Sequence, residues 1–267
     1  MKNFFNKLKS SKRFKKYFWI TASVLFMIAI WWLLAETYFA LSEVIPSPIQ
    51  VLRQMGDVAG TSALWRNVWN TLWKVLVAFA VSFAISFLFA VLASWKDGIR
   101  HFLSPIVTVL RALPTIGIVF ILFFIVISQA VAVIVIGFLM IFPVMYENFY
   151  AAIKETDSKL LQMARVHKVS FMRQLVDIYI PHMLPHLFAS SIAGIGMGLK
   201  VTIAAEILSF AVVNDLGTAM WRANIDGGGL LFMWLTFAVI LSFFLEGAIR
   251  LIAYFSMSWK RRKGGEK

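Results

Sequence analysis

Residues 112–146 read ALPTIGIVFILFFIVISQAVAVIVIGFLMIFPVMY, 35 positions without a charge. As one helix rising about 1.5 Å per residue this run would be about 52 Å long. A bilayer's hydrocarbon core is about 30 Å thick and is crossed by about 20 apolar residues. The run is too long for one crossing and long enough for two. Ser128-Gln129 is the only polar break near its middle, so it predicts a crossing over 102–127 and another over 130–147. Pro105, Pro114 and Gly117 predict an irregular start to the first of these.

The same pattern recurs outward from this run. Val75–Trp95 is 21 residues without charge and predicts a crossing over 71–94. Phe18–Ala35 is uncharged over 18 residues behind a segment with seven basic residues; it exceeds the roughly 7–15 apolar residues of a signal peptide and is read as an uncleaved first helix. Further crossings are expected over 186–210 and 229–255. The chain is 60 % apolar and 15 % charged over its 267 residues, against roughly 25 % charged in soluble domains. That excludes a water-soluble globule, disorder and a fibrous repeat. The expected fold is an all-α integral membrane protein of six transmembrane helices. Its organisation is a basic N-terminal segment (1–17), a permeation domain (18–260) and a basic tail (261–267).

Net charge is +13. In a soluble protein this would suggest nucleic acid; here basic residues flank apolar runs, so the partner is the lipid bilayer and no nucleic acid is expected. With six crossings and the N-terminus inside, the inside segments carry nineteen Lys and Arg and the outside segments three, a positive-inside bias that places both termini in the cytoplasm. Trp65, Trp69 and Trp73 recur every fourth residue, as a boundary aromatic stripe or as core packing. Ser47-Pro48 predicts a helix start, with the helix running to about Met55 and stopping near Gly56.

Several chemistries are excluded. There is no cysteine, no HExxH and no GxxxxGK[ST] loop, so thiol chemistry, zinc-protease chemistry and nucleotide hydrolysis find no motif. His182 and His186 are four apart with Pro185 between them and no third ligand evident; no metal or cofactor is expected. No crossing shows the convergent groups of an enzyme site. Gly194, Gly196 and Gly198 are read as places where helices approach closely.

Residues 147–185 alternate charged with apolar side chains. Between two crossings, such a stretch is either a helix on the membrane surface or a docking element for a soluble partner. Its residues run Gln162-Met163-Ala164-Arg165-Val166-His167-Lys168 and, after nine intervening residues, Ile178-Tyr179-Ile180-Pro181, followed by Met183-Leu184-Pro185. This spacing resembles the signature of ABC importer permeases: Glu-Ala-Ala, three residues, Gly, nine residues, Ile-x-Leu-Pro. Ala164, Ile178 and Pro181 agree; Gln162, Met163, Lys168 and Ile180 replace Glu, Ala, Gly and Leu. Ile45-Pro46-Ser47-Pro48, Arg111-Ala112-Leu113-Pro114, Ala204-Ala205-Glu206 and Asp215-Leu216-Gly217 are similar, in the same order, to motifs of the MetI-like branch that carries nitrate, sulfonate, taurine and thiamine precursors.

The resemblance implies a homodimer with the translocation path between two copies, two separate ATPase subunits and a substrate-binding protein. It implies that residues about 155–181 transmit ATPase motion, with Gln162, Met163, Ala164, Arg165, Lys168, Arg173, Ile178, Pro181 and Pro185 as coupling residues. In the family the glycine makes a turn between two short helices. Lys168 there either adopts a left-handed backbone at about 1–2 kcal/mol or shapes the turn differently.

Ionisable groups inside crossings are expensive and default to functional candidates. Arg111, Pro114, Lys200 and Glu206 are the translocation-path candidates. Glu206 is expected to face that path or to pair with a basic group; Lys200 or Arg111 would attract an anionic solute. The rival roles are a structural ion pair and a headgroup-level residue. The rival functions are the coupling subunit of an energy-coupling-factor vitamin transporter, an integral-membrane enzyme, and a channel or secondary carrier. Against the first, Ala164-Arg165-Val166 occurs once and lacks the following Gly.

Overall fold

The computed structural model describes residues 12–37, 45–209, 213–226 and 229–264. Most of the N-terminal segment and the end of the basic tail lie outside the described residues. All regular structure among the described residues is helical. In chain order the helices are α1 (Lys12–Thr37), α2 (Pro48–Ala59), α3 (Ser62–Trp95), α4 (Asp97–Ala112), α5 (Thr115–Ile125), α6 (Gln129–Lys154), α7 (Ser158–Val166), α8 (Phe171–Leu208), α9 (Leu216–Ile225) and α10 (Gly229–Gly264).

Among the described residues, five helices are long and apolar enough to cross a membrane: α1, α3, α6, α8 and α10. The sixth crossing expected at 102–127 is not one helix. It is the pair α4 and α5, bent by 100°. The break falls where Pro114 lacks an N–H and pushes Leu113 out of the helical region, to φ −67° and ψ 131°. The irregularity predicted from the prolines is therefore a full corner.

Other boundaries moved as well. The helix starting at Pro48 runs to Ala59 and not to Met55, because Gly56 fits a helix interior without strain and Gly60 is the C-cap. Its start is as read: Ser47 Oγ accepts from Gln50 N and Ser47 N donates to Gln50 Oε1 at 2.8 Å, a reciprocal cap. The crossing expected from 186 begins at Phe171, so the last part of the amphipathic stretch, residues 171–185, is continuous with the membrane helix.

The chain divides into two compact units, Met1–Leu64 with Met220–Thr236, and Trp65–Ala219 with Phe237–Lys267. In the first, Trp31 donates from its indole N–H to the Pro46 carbonyl at 3.2 Å and stacks on Phe232 at 6.2 Å. In the second, α8 packs chiefly on α6. Gly198 permits this contact, since a Cβ there would lie 2.7 Å from Ile141 Cδ1. Gln129, half of the polar break noted in the sequence, donates from α6 to Ser209 Oγ at the end of α8 at 2.6 Å. Tyr146, Phe149, Ile141 and Met183 are fully buried in the core of this unit. Trp65 and Trp69 are exposed, which removes the core reading for them; Trp73 is half-buried.

Candidate functional sites: a capped turn and a buried ion cluster

Two places combine strained or charged groups with fixed geometry. The first is the turn between α7 and α8. Asp157 starts α7, its carboxylate accepting from Lys159 N at 2.8 Å and its carbonyl from Leu161 N. The helix ends at Val166, and Lys168 has φ 52°, the one non-glycine residue with positive φ among those described. Val169 N donates to the Ala164 carbonyl at 2.9 Å and His167 N to Met163 O at 3.0 Å. A bond from the residue after a left-handed position back across the last turn is a Schellman cap. It gives a physical reason for the spacing of the signature. Ala164 supplies a buried methyl and the capped carbonyl, and the position four later must turn left-handed, which glycine does freely and Lys168 does at about 1–2 kcal/mol.

Around this cap the side chains sort by face. Ala164 is buried, while Leu160, Met163 and Val166 are exposed and recur every third residue. Gln162, Lys168 and Arg173 are exposed and Ile178 is half-buried. The backbone of Arg165 lies in α7; its side chain is outside what the structure describes. Leu160, Met163, His167, Arg173, Asp177 and Ile178 line one groove beside the turn. Beyond it, Leu175–Tyr179 forms a π-turn in which Ile180 N reaches back five residues to Leu175 O. It sits directly before Pro181, which has no N–H to continue an ordinary ladder. Pro185 follows, exposed, inside α8.

The second place is the end of α8. Lys74 Nζ lies 2.8 Å from Glu206 Oε1 and 2.9 Å from Asp215 Oδ2, and none of the three is more than 3 % exposed. Thr71 donates to Glu206 Oε2 at 2.8 Å and accepts from Leu216 N at 2.9 Å. Gly217 N donates to Glu206 Oε2 at 3.0 Å and Thr218 N to Asp215 Oδ1 at 2.9 Å. Every carboxylate oxygen therefore has a donor. The two negative charges face one ammonium and the first amides of α9, whose partial positive charge offsets the excess. Gly217 makes the approach possible: a Cβ there would lie 2.7 Å from the Ile203 carbonyl.

The structure thus gives Glu206 its basic partner, Lys74, and brings the Ala-Ala-Glu and Asp-Leu-Gly motifs together. It does not bring Lys200 to Glu206. Lys200 is exposed on α8 and Glu206 buried, on different faces as their six-residue spacing requires. Arg111 is exposed in the last turn of α4, and Pro114 forms the corner. The roles of Lys74 and Thr71 were missed in the sequence. Lys74 stands at the edge of an uncharged run, and nothing local points to acids 132 and 141 residues away.

Residues 82–257 match the family described as binding-protein-dependent transport system inner membrane component. A protein of Bacillus subtilis (strain 168) named as an aliphatic sulfonates transport permease, SsuC, is 22 % identical over 198 residues, covering 73 % of this chain and 71 % of its own. An inward-facing structure of the MetNI methionine ABC transporter superposes with TM-score 0.64 at 20 % identity, covering 72 % of this chain and 95 % of that one. A bacterial ABC transporter that imports the acidic polysaccharide alginate gives TM-score 0.64 at 14 % identity, over 90 % and 96 %. The family match extends over well more than half the chain and includes the capped turn and the two acids of the ion cluster, Glu206 and Asp215. This chain therefore belongs to the binding-protein-dependent transport system inner membrane components, the multi-pass membrane permeases of ABC importers.

Proposed function

We infer that this chain is the membrane subunit of an importer for a small solute, that it works as a pair of identical copies with the path between them, and that it is driven by two separate ATPase subunits and supplied by a substrate-binding protein. The observation that carries this is the capped turn at Lys168. It reproduces, in backbone geometry, the position where the family signature places glycine, and beside it α7 presents Leu160, Met163 and Val166 to the outside. An exposed apolar face of this kind marks an interaction site. Gln162, Met163, Arg165, Lys168 and Arg173 would meet the ATPase, Ala164 would hold the cap, and Ile178, Pro181 and Pro185 would carry displacement into α8. The named solutes of the similar proteins, sulfonates, methionine and alginate, differ in size and charge, so the shared fold does not select among them.

Two ATPase subunits would approach on binding ATP and separate on hydrolysis, and the turn would pass that motion to the crossings as a shift between two conformations. The test uses the natural absence of cysteine. Met163→Cys and Val166→Cys in the full chain are treated with a short bifunctional thiol-to-amine cross-linker in membranes. Capture of a Walker-motif ATPase is the expected result. Absence of any nucleotide-hydrolysing protein from both cross-linked bands would sink the reading.

A further inference from the structure

The charges within the spans do not balance. Glu147 pairs with Arg100 at 3.1 Å, Glu206 and Asp215 with Lys74, and Glu246 with Arg250 at 3.6 Å. The other acids among the described residues stand in short helices, connections or terminal turns. Asp177 shares α8 with Lys200 but lies 23 residues away, about 34 Å along the axis. Lys200 is eight residues, about 12 Å, from the Leu208 end of its span, is exposed, and has no ion-pair partner among the described residues. Arg111, at the α4–α5 corner, is likewise exposed and without an acid partner among the described residues. A second copy of the chain would bring the same set of pairs.

An exposed, unmatched ammonium facing hydrocarbon is costly and rare; such groups face water or a ligand. The face of α8 that holds Lys200 supports the second alternative. The exposed positions nearest to it at helical spacing are Ala193 and Ala189, with His186, Pro185 and His182 further toward the Phe171 end, whereas the exposed side of α10 carries Phe243, Phe244, Leu251 and Ile252. The large apolar side chains suit lipid, and the small ones leave room beside the charge.

We propose that Lys200 receives the negative charge of the transported solute, which makes the solute a small molecule bearing a sulfonate, carboxylate or similar oxyanion, with Arg111 as the second cation on its route. This rests on the importer reading above. Glu246 is a competitor for Lys200, because its carboxylate lies against Gly196, one turn away; Arg250 already engages it.

The experiment does not require the solute to be known. Ala193→Cys, two turns from Lys200, is placed in the otherwise cysteine-free chain and labelled in membrane vesicles holding the full complex. The probes are a sulfonatoethyl and a trimethylammonioethyl methanethiosulfonate, with Leu251→Cys as the lipid-facing control. With each rate divided by that reagent's rate toward a free thiol in solution, the anionic reagent is expected to exceed the cationic one by roughly fivefold. The ratio should fall toward one in Lys200→Met and persist in Lys200→Arg. Ala189→Cys serves if Ala193→Cys does not accumulate. The proposal is overturned if both positions are as unreactive as Leu251→Cys, if Lys200→Met leaves the ratio unchanged, or if the preference emerges only in Glu246→Gln, which would make Glu246 the counter-ion. Retention of the ATPase on the purified chain separates these results from failure of the importer reading, which is read from that retention alone.

Discussion

Lys74 and Glu206 are 132 residues apart in sequence and 2.8 Å apart in space, joined where neither meets solvent. Removing one partner of a buried ion pair leaves an uncompensated charge, which costs about 3–5 kcal/mol. Lys74→Met would strand two carboxylates. The expected outcome is a large fall in the thermal stability of the detergent-purified protein. Adding Glu206→Gln and Asp215→Asn to Lys74→Met should recover much of it. Equal losses for the single and triple variants would show that the three groups do not act as one cluster.

Gly217→Ala should disturb the same cluster sterically. The added methyl would press on Glu206 and on the Ile203 carbonyl, and overpacking of this kind costs about 1–3 kcal/mol. Gly60→Ala is the matched control, with open space around it and φ −81°; it should change stability by less than about 0.5 kcal/mol. Thermal melts of the two variants side by side make the comparison.

At the turn the sign reverses. Lys168→Gly relieves a left-handed residue and should stabilise by about 1 kcal/mol, read as a raised unfolding temperature of the permease alone. Lys168→Val, β-branched at the same φ, should destabilise. If the glycine variant melts lower than the natural chain, the side chain of Lys168 makes contacts that outweigh the backbone strain.

Met163→Asp tests the outward face of α7. Met163 is 60 % exposed, so the substitution should leave the melting temperature within experimental scatter. Retention of the ATPase in a pull-down should nevertheless drop sharply. Unchanged retention would place the ATPase contact elsewhere on the chain.

How far the sequence could be read depended on the range of the forces involved. The crossings followed from hydrophobic runs, and the Ser47 cap from four adjacent residues. The left-handed turn was one of two options posed at Lys168, because cap geometry is local and the motif marks the position. The 100° corner was only half visible: Pro114 announced a break, but its angle is set by what α4 and α5 pack against. The ion cluster was hidden in its central member. Glu206 and Asp215 stood inside recognisable motifs, whereas Lys74 read as a charge bordering an apolar run, and only the fold brings it to them.

Helix α8 runs for 38 residues, about 57 Å, from beside Lys168 to the anchored Glu206, with the π-turn at Leu175–Tyr179 within it. On the importer reading proposed above it would act as a lever, with the strained turn as handle and the ion cluster as fulcrum. A pull of a few ångströms at Phe171 would then swing the shaft about Glu206 or be absorbed in the loosened winding at Leu175–Tyr179. Stiffening that winding would deliver the whole stroke to the opposite side of the bilayer.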